Sequence, residues 1–273
     1  MIFLERNDTM STRSLVKIEM RKFIKRKDWI SVLAVAVIGI LFAGAAFSGT
    51  YTGPNNQSAL YWLESQVFNT TALYISPFIT AFMGTRLLST ELEEKTLTLY
   101  IERIQNKRKI YLSKVLAFTI YSVLVYFVML IFQFILYQIA ALKEVTYFSG
   151  NLLGANTVQL TISLVLLWAT SFYLPGMFTL MLGTKIKPLA VMGMSMGLIF
   201  ILRNTFQLPL VEWVNPWTYI IKLVIPFSYD TEVQSVAASY WQILGVFILL
   251  IITYTVLSIV FGIKLFSTQR KTV

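Results

Sequence analysis

Thirty consecutive residues, Tyr111–Ala140, carry a single charged side chain, Lys114. Such a run constrains the fold more than any other feature of the chain. As a helix it extends about 45 Å, beyond the ~30 Å of a bilayer's hydrocarbon. Trp29–Phe47, Val67–Leu88, Val158–Leu182, Pro188–Leu202 and Ile243–Lys264 are apolar in the same way. Lipid offers no hydrogen bonds to the backbone, so such runs cross it as helices. The expectation is an all-α, polytopic membrane protein with six transmembrane helices. It forms a single domain over residues 1–273: 1–28 as an interfacial N-terminus, 29–264 as the spans and 265–273 as a tail. Composition agrees, with 56% hydrophobic residues, 13% charged residues and a mean hydropathy of +0.68. A water-soluble domain needs more polar surface.

The basic residues orient the spans. Arg6, Arg13, Lys17, Arg21, Lys22, Lys25, Arg26 and Lys27 precede the first. Arg86, Lys95, Arg103, Lys107, Arg108, Lys109 and Lys114 lie between or flank the second and third. Lys185 and Lys187 follow the fourth, and Lys264, Arg270 and Lys271 end the chain. Only Lys143, Arg203 and Lys222 fall on the opposite side. Positive charge accumulates on the cytoplasmic side of membrane proteins, so both termini are expected there. This placement assigns the net charge of +10 to membrane orientation rather than nucleic acid. A signal peptide is the competing reading of the first run, but its charged leader of about 28 residues is too long. The outward Asn56-Gln57-Ser58 and Asn69-Thr70-Thr71 are weak glycosylation sequons.

Much chemistry is excluded. The chain has no Cys and no His, which removes disulfides, thiolates and the commonest general base. No P-loop pattern occurs. Gly193-Met194-Ser195-Met196-Gly197 matches a nucleophile elbow, yet it lies within a span and has no His to complete a triad. The same residues read better as helix packing or a dimer interface, with Gly193 and Gly197 one turn apart and Ser195 able to bond across. No Asp or Glu falls in the middle of any expected span, which argues against a cation-coupled carrier. Gln133 and Gln138 either bond other helices or line a translocation path. Pro77 and Pro175-Gly176 are expected to kink their helices. Between Arg203 and Gln242, Pro209, Pro216 and Pro226 break an apolar stretch rich in Trp and Tyr. A partly re-entrant outer helical segment before the last span is expected there.

Two charged segments stand apart from the spans. Ser14–Lys27 reads as an interfacial helix, with Leu15, Ile18, Phe23 and Ile24 toward lipid and basic residues toward headgroups. Thr90–Ile110, TELEEKTLTLYIERIQNKRKI, holds four acidic and five basic residues. Leu97, Tyr100, Ile101 and Ile104 form one apolar stripe at helical spacing, and Thr90 and Glu93 have capping-box spacing. Glu91, Glu93 and Glu94 at its start, with Arg103 and Lys107–Lys109 at its end, suit the helix dipole.

Leu87–Ala117 resembles the first cytoplasmic loop of type-2 ABC export permeases. The matching positions are Ser89, Glu91, Glu93, Thr96, Leu97, Leu99, Lys107 or Arg108, and Lys114. Lys95 stands where that family usually has Gly, and Ile104 about where it has Pro. Leu15–Trp29 is similar to the helix leading into the family's first span. The resemblance implies a six-span half that pairs with a second permease half and with ABC ATPase subunits. Those subunits would hold ATP and Mg, leaving no cofactor and no metal on this chain. It also implies a coupling helix that meets the ATPase, with Glu91, Glu93, Glu94, Thr96, Leu97, Tyr100, Ile101, Arg103 and Ile104 as contact residues. Cargo proposed for the family includes antimicrobial peptides, drugs, lipids or lipid-linked sugars, and sodium. The uncharged spans suit a hydrophobic or amphipathic cargo best. A membrane-embedded enzyme or a non-transporting scaffold is the alternative. The expected setting is a bacterial plasma membrane, with lipid as a partner and no nucleic acid.

Overall fold

The computed structural model describes residues 11–27, 30, 33, 40, 57–72, 74–97, 101, 104, 106–142, 148–149, 151–154, 156–228 and 237–268. It is all-helical. The elements are α1 (Thr12–Lys25), α2 (Ala59–Ala72), α3 (Ile75–Leu87), α4 (Ser89–Glu93), α5 (Lys107–Leu142), α6 (Thr157–Trp168), α7 (Leu174–Leu182), α8 (Pro188–Asn204), α9 (Pro216–Ser228) and α10 (Ala237–Ser267). A π-helical turn, Ala169–Tyr173, joins α6 to α7. Among the described residues three helices are long and apolar enough to cross a membrane: Lys107–Leu142, Thr157–Leu182 and Ser239–Ser267. The first expected span lies outside the described residues except for Ile30, Leu33 and Ile40, which are helical and exposed.

The second expected span is broken. Tyr74 adopts a left-handed backbone, φ 59°, and divides Val67–Leu88 into the end of α2 and all of α3. Pro77 therefore does not kink a continuous helix. It sits in the first turn of α3, where a missing N–H is cheap. Arg203 closes the break by donating to the Thr71 carbonyl at 3.1 Å while its guanidinium lies 4.6 Å from the Tyr74 ring centre. The fourth run carries a π-helical turn just before its proline. Its π turn carries an i−5 bond from Leu174 N–H to the Ala169 carbonyl just before Pro175, the usual accommodation of an interrupted ladder.

Close packing is set by Gly176, expected from sequence only as part of a kink, and by Gly84. A Cβ on Gly176 would sit 1.7 Å from the Phe118 ring, and one on Gly84 2.0 Å from the Thr179 hydroxyl. Bare backbone at these two positions lets α3, α5 and α7 meet closely. A Cβ on Gly193 or Gly197 would meet nothing within 4 Å. Ser195 is buried and donates to the Pro175 carbonyl at 3.1 Å. Two residues span 200° on a helix, so Ser195 faces inward while the two glycines face away.

Within the expected outer segment, the described residues 203–228 are tied to the helices by side-chain hydrogen bonds. Asn215 caps α9, accepting from Trp217 N–H at 3.0 Å and donating to the Leu202 carbonyl. Thr218 bonds the Phe206 carbonyl, and Tyr254 of α10 bonds that of Val214. Trp217, Tyr219, Ile220, Leu223 and Val224 are buried.

Candidate functional site: the charged segment between α3 and α5

The charged segment is not one continuous helix. α4 ends with its cap at Glu94, and Lys95 takes a left-handed backbone, φ 58°. An L side chain there costs about 1–2 kcal/mol, which is a physical reason for Gly to be favoured at this position. Thr96, Leu97, Ile101 and Ile104 are helical again beyond the turn. Thr90 does not cap, because α4 begins at Ser89, whose hydroxyl donates 2.7 Å to the Ile186 carbonyl between α7 and α8. Lys107–Lys109 do not close the helix either. They form the first turn of α5, where Asn106 caps by accepting from Lys109 N–H at 3.1 Å. That is the unfavourable end of a helix dipole for cations, so orientation and headgroup attraction are better reasons for this triplet than helix stability.

The acidic residues separate into two kinds. Glu93 and Glu94 are exposed, together with Lys95 and Thr96. Glu91 is fully buried and sits at the centre of an ion cluster. Its carboxylate accepts from Lys114 Nζ at 2.6 Å, Arg26 Nη2 at 2.7 Å and Lys22 Nζ at 3.0 Å. Lys114, also fully buried, donates to the Leu87 carbonyl at 2.6 Å and lies 3.3 Å from the second carboxylate, Glu19. Lys22 reaches Glu19 at 3.0 Å. Nearby, Tyr121 donates to the Glu19 backbone carbonyl at 2.5 Å and stacks on Phe23 at 4.2 Å. Burial would raise the Glu91 carboxyl, but Lys114 and Lys22 outweigh it by charge and hydrogen bond and hold it at about 2. Burial would likewise depress Lys22, but Glu19 and Glu91 raise it above its ordinary value.

Two expectations change. First, α1 does not rest on lipid by its apolar side alone. It docks along α5, and its inward face reads Leu15, Glu19, Lys22, Arg26, with charges continuing the stripe. Ile24 is instead exposed. Second, Leu97 and Ile104 are buried, and Ile101 half-buried, in the chain's own core alongside Leu15 and Ile110. These three side chains thus pack within the chain itself. Tyr100 and Arg103 lie outside the described residues. Sequence reasoning missed Lys22 and Arg26 as partners of Glu91, and Glu19 as the second carboxylate of the cluster. The available signal was Lys114, a lone cation in an apolar run, which needs a buried counter-charge.

The remaining expected residues lie elsewhere. Gln133 is buried with neither amide atom partnered among the described residues, and Gln138 is half-buried. Among the described residues no group of acidic side chains is arranged to hold a metal.

Comparison with known families matches residues 15–202 to the ABC-2 family transporter protein model. No curated protein matched the chain. The matched span holds every member of the ion cluster, the exposed turn and two of the three long apolar helices. Permeases of this family are the membrane components of transporters and pair with ABC ATPase subunits. The chain is thus a membrane protein that belongs to the ABC-2 transporter family, the type-2 ABC permeases.

Proposed function

We propose that this chain is the membrane-spanning subunit of an ATP-driven exporter. It moves a hydrophobic or amphipathic cargo, using energy from separate nucleotide-binding subunits that carry ATP and Mg. A second permease half, the same or a different chain, completes the path, and the outward Gly193–Gly197 face of α8 is a surface on which it seats. The setting is a bacterial plasma membrane, with six crossings and both termini inside.

The observation that carries this reading is the exposed turn Glu93–Thr96 leading directly from buried Glu91. Among the described residues of the segment, the turn is the longest exposed stretch and is open to an ATPase surface. Glu91 ties it to α1 through Lys22 and Arg26, and to α5 through Lys114. A displacement of the turn is transmitted to a long apolar helix through charge-assisted hydrogen bonds rather than through a flexible loop. Co-purification tests the assignment. The pair Glu93→Lys and Glu94→Lys is expected to reduce recovery of the ATPase subunit tenfold or more, with thermal stability of the permease unchanged. Wild-type recovery and normal transport would remove the turn from the coupling surface.

A further inference from the structure

The end of α8 remote from Lys187 borders an open cleft of about 380 Å³, the scale of a small ligand site. Among the described residues its lining is Phe68 of α2, Arg203 of α8, Phe206 just beyond, and Trp217 and Ile221 of α9. Four apolar or aromatic side chains thus surround one cation. The Arg203 guanidinium donates to the Thr71 carbonyl at 3.1 Å and lies 4.6 Å from the Tyr74 ring centre and 5.8 Å from that of Trp217. A carbonyl and two ring faces orient a guanidinium without neutralising it. The neighbouring cation, Lys222, is exposed and pairs with Glu212. Phe206 leads into a turn that leaves Leu208, Leu210 and Trp213 exposed. Apolar residues beside an exposed Trp suit the headgroup boundary of a bilayer.

We propose that this cleft binds an anionic phospholipid, with Arg203 on its phosphate and the start of an acyl chain against Phe68, Phe206 and Ile221. Charge and apolar wall select together. Guanidinium and phosphate form charge-assisted hydrogen bonds. Inorganic phosphate brings the charge but leaves the apolar wall in water. A choline headgroup would set its ammonium beside ring faces where Arg203 already lies, cation against cation. The exposed turn next to the cleft makes lipid the source at hand. A lipid held there joins α2, α8 and α9 at the break that Arg203 closes, and so stabilises that break. The site needs neither cargo nor an ATPase subunit.

The test uses the full chain in detergent, with native mass spectrometry counting the lipids retained. Phosphatidylglycerol and phosphatidylcholine of equal chain length are offered together. The basic α1 also draws anionic lipid, so the readout is the difference between the wild type and variants of the cleft. The wild type is expected to retain one phosphatidylglycerol at least fivefold more tightly than Arg203→Gln or Ile221→Trp does, with phosphatidylcholine held equally weakly by all three. Ile221→Trp fills the cleft and leaves Arg203 and its bond to Thr71 in place, so it decides the matter where Arg203→Gln fails to fold. Phosphatidylglycerol is also expected to raise the thermal midpoint of the wild type by several degrees more than that of Ile221→Trp. Inorganic phosphate at millimolar concentration is expected to leave retention unchanged. Undiminished binding of phosphatidylglycerol by Ile221→Trp, equal affinity of the wild type for the two lipids, or displacement by inorganic phosphate overturns the assignment.

Discussion

Replacing Glu91 by Gln removes one charge and almost no volume, so its effect reports the ion cluster rather than packing. In the wild type Glu91 faces Lys114 at 2.6 Å, Arg26 at 2.7 Å and Lys22 at 3.0 Å. After substitution, Lys114 keeps only the Leu87 carbonyl and Glu19 at 3.3 Å. Lys22 retains Glu19, and Arg26, more exposed, can turn to water. The cost concentrates on Lys114, a fully buried ammonium that has lost its nearest counter-charge. Breaking a buried pair from one side costs about 3–5 kcal/mol, and this range is expected for Glu91→Gln. Lys114→Met leaves Glu91 two cations and is expected to cost less, about 1–3 kcal/mol. The double variant removes both halves, so its cost should fall short of the sum by at least about 1.5 kcal/mol. Reversible unfolding in mixed micelles, followed by tryptophan fluorescence, measures all four corners of this cycle. Additivity within about 0.5 kcal/mol would mean the pair is not coupled and the cluster is not what holds α4 to α5.

The same cluster predicts a pH response. Glu91 is held near 2 against an ordinary 4.5, so its contribution is complete above the unfolded value and fades as pH falls from about 5 toward 2. The expected loss is about 3 kcal/mol, measured as unfolding free energy against pH, and Glu91→Gln should flatten that limb. Gly176→Ala drives a methyl into the Phe118 ring and should cost about 1–3 kcal/mol or more. Gly193→Ala and Gly197→Ala should leave the single chain within about 0.5 kcal/mol of wild type, and weaken only its association with a second permease half, read by crosslinking. Lys95→Gly should raise the thermal midpoint, by up to about 1 kcal/mol in stability, because it relieves the left-handed backbone. Lys95→Ala keeps a Cβ and should not.

The long apolar elements were legible because their signal is summed over many residues: Tyr111–Ala140 lies within α5, and Ile243–Lys264 within α10. The places where reading failed share a cause. Tyr74 and Lys95 carry side chains that do not advertise a left-handed backbone, so two breaks were invisible and two helices were drawn too long. Glu64 precedes an apolar run and was left outside it, although the helix extends back through it. The stripe Leu97, Ile101, Ile104 was correctly identified as apolar, but periodicity does not say which surface an apolar face covers. Glu91 looked like its exposed neighbours Glu93 and Glu94. What distinguishes it is a set of cations from α1 and α5 that lie far away along the chain.

That separation bears on how the protein is made. Lys22 and Glu91 are 69 residues apart, and at about 5–20 residues per second roughly 3–14 s of synthesis lie between them. Through that interval the nascent chain holds Lys22 and Arg26 without the carboxylate that later fixes them, and Glu19 has only Lys22 within reach. The cationic N-terminal helix must spend this time elsewhere, and anionic headgroups are the nearest negative charge. It then leaves them when Glu91 emerges, followed 23 residues later by Lys114. Lipid attraction thus belongs to the helix's transit and the ion cluster to its final position. A membrane poor in anionic lipid would delay assembly of this face while leaving the finished protein's stability unchanged.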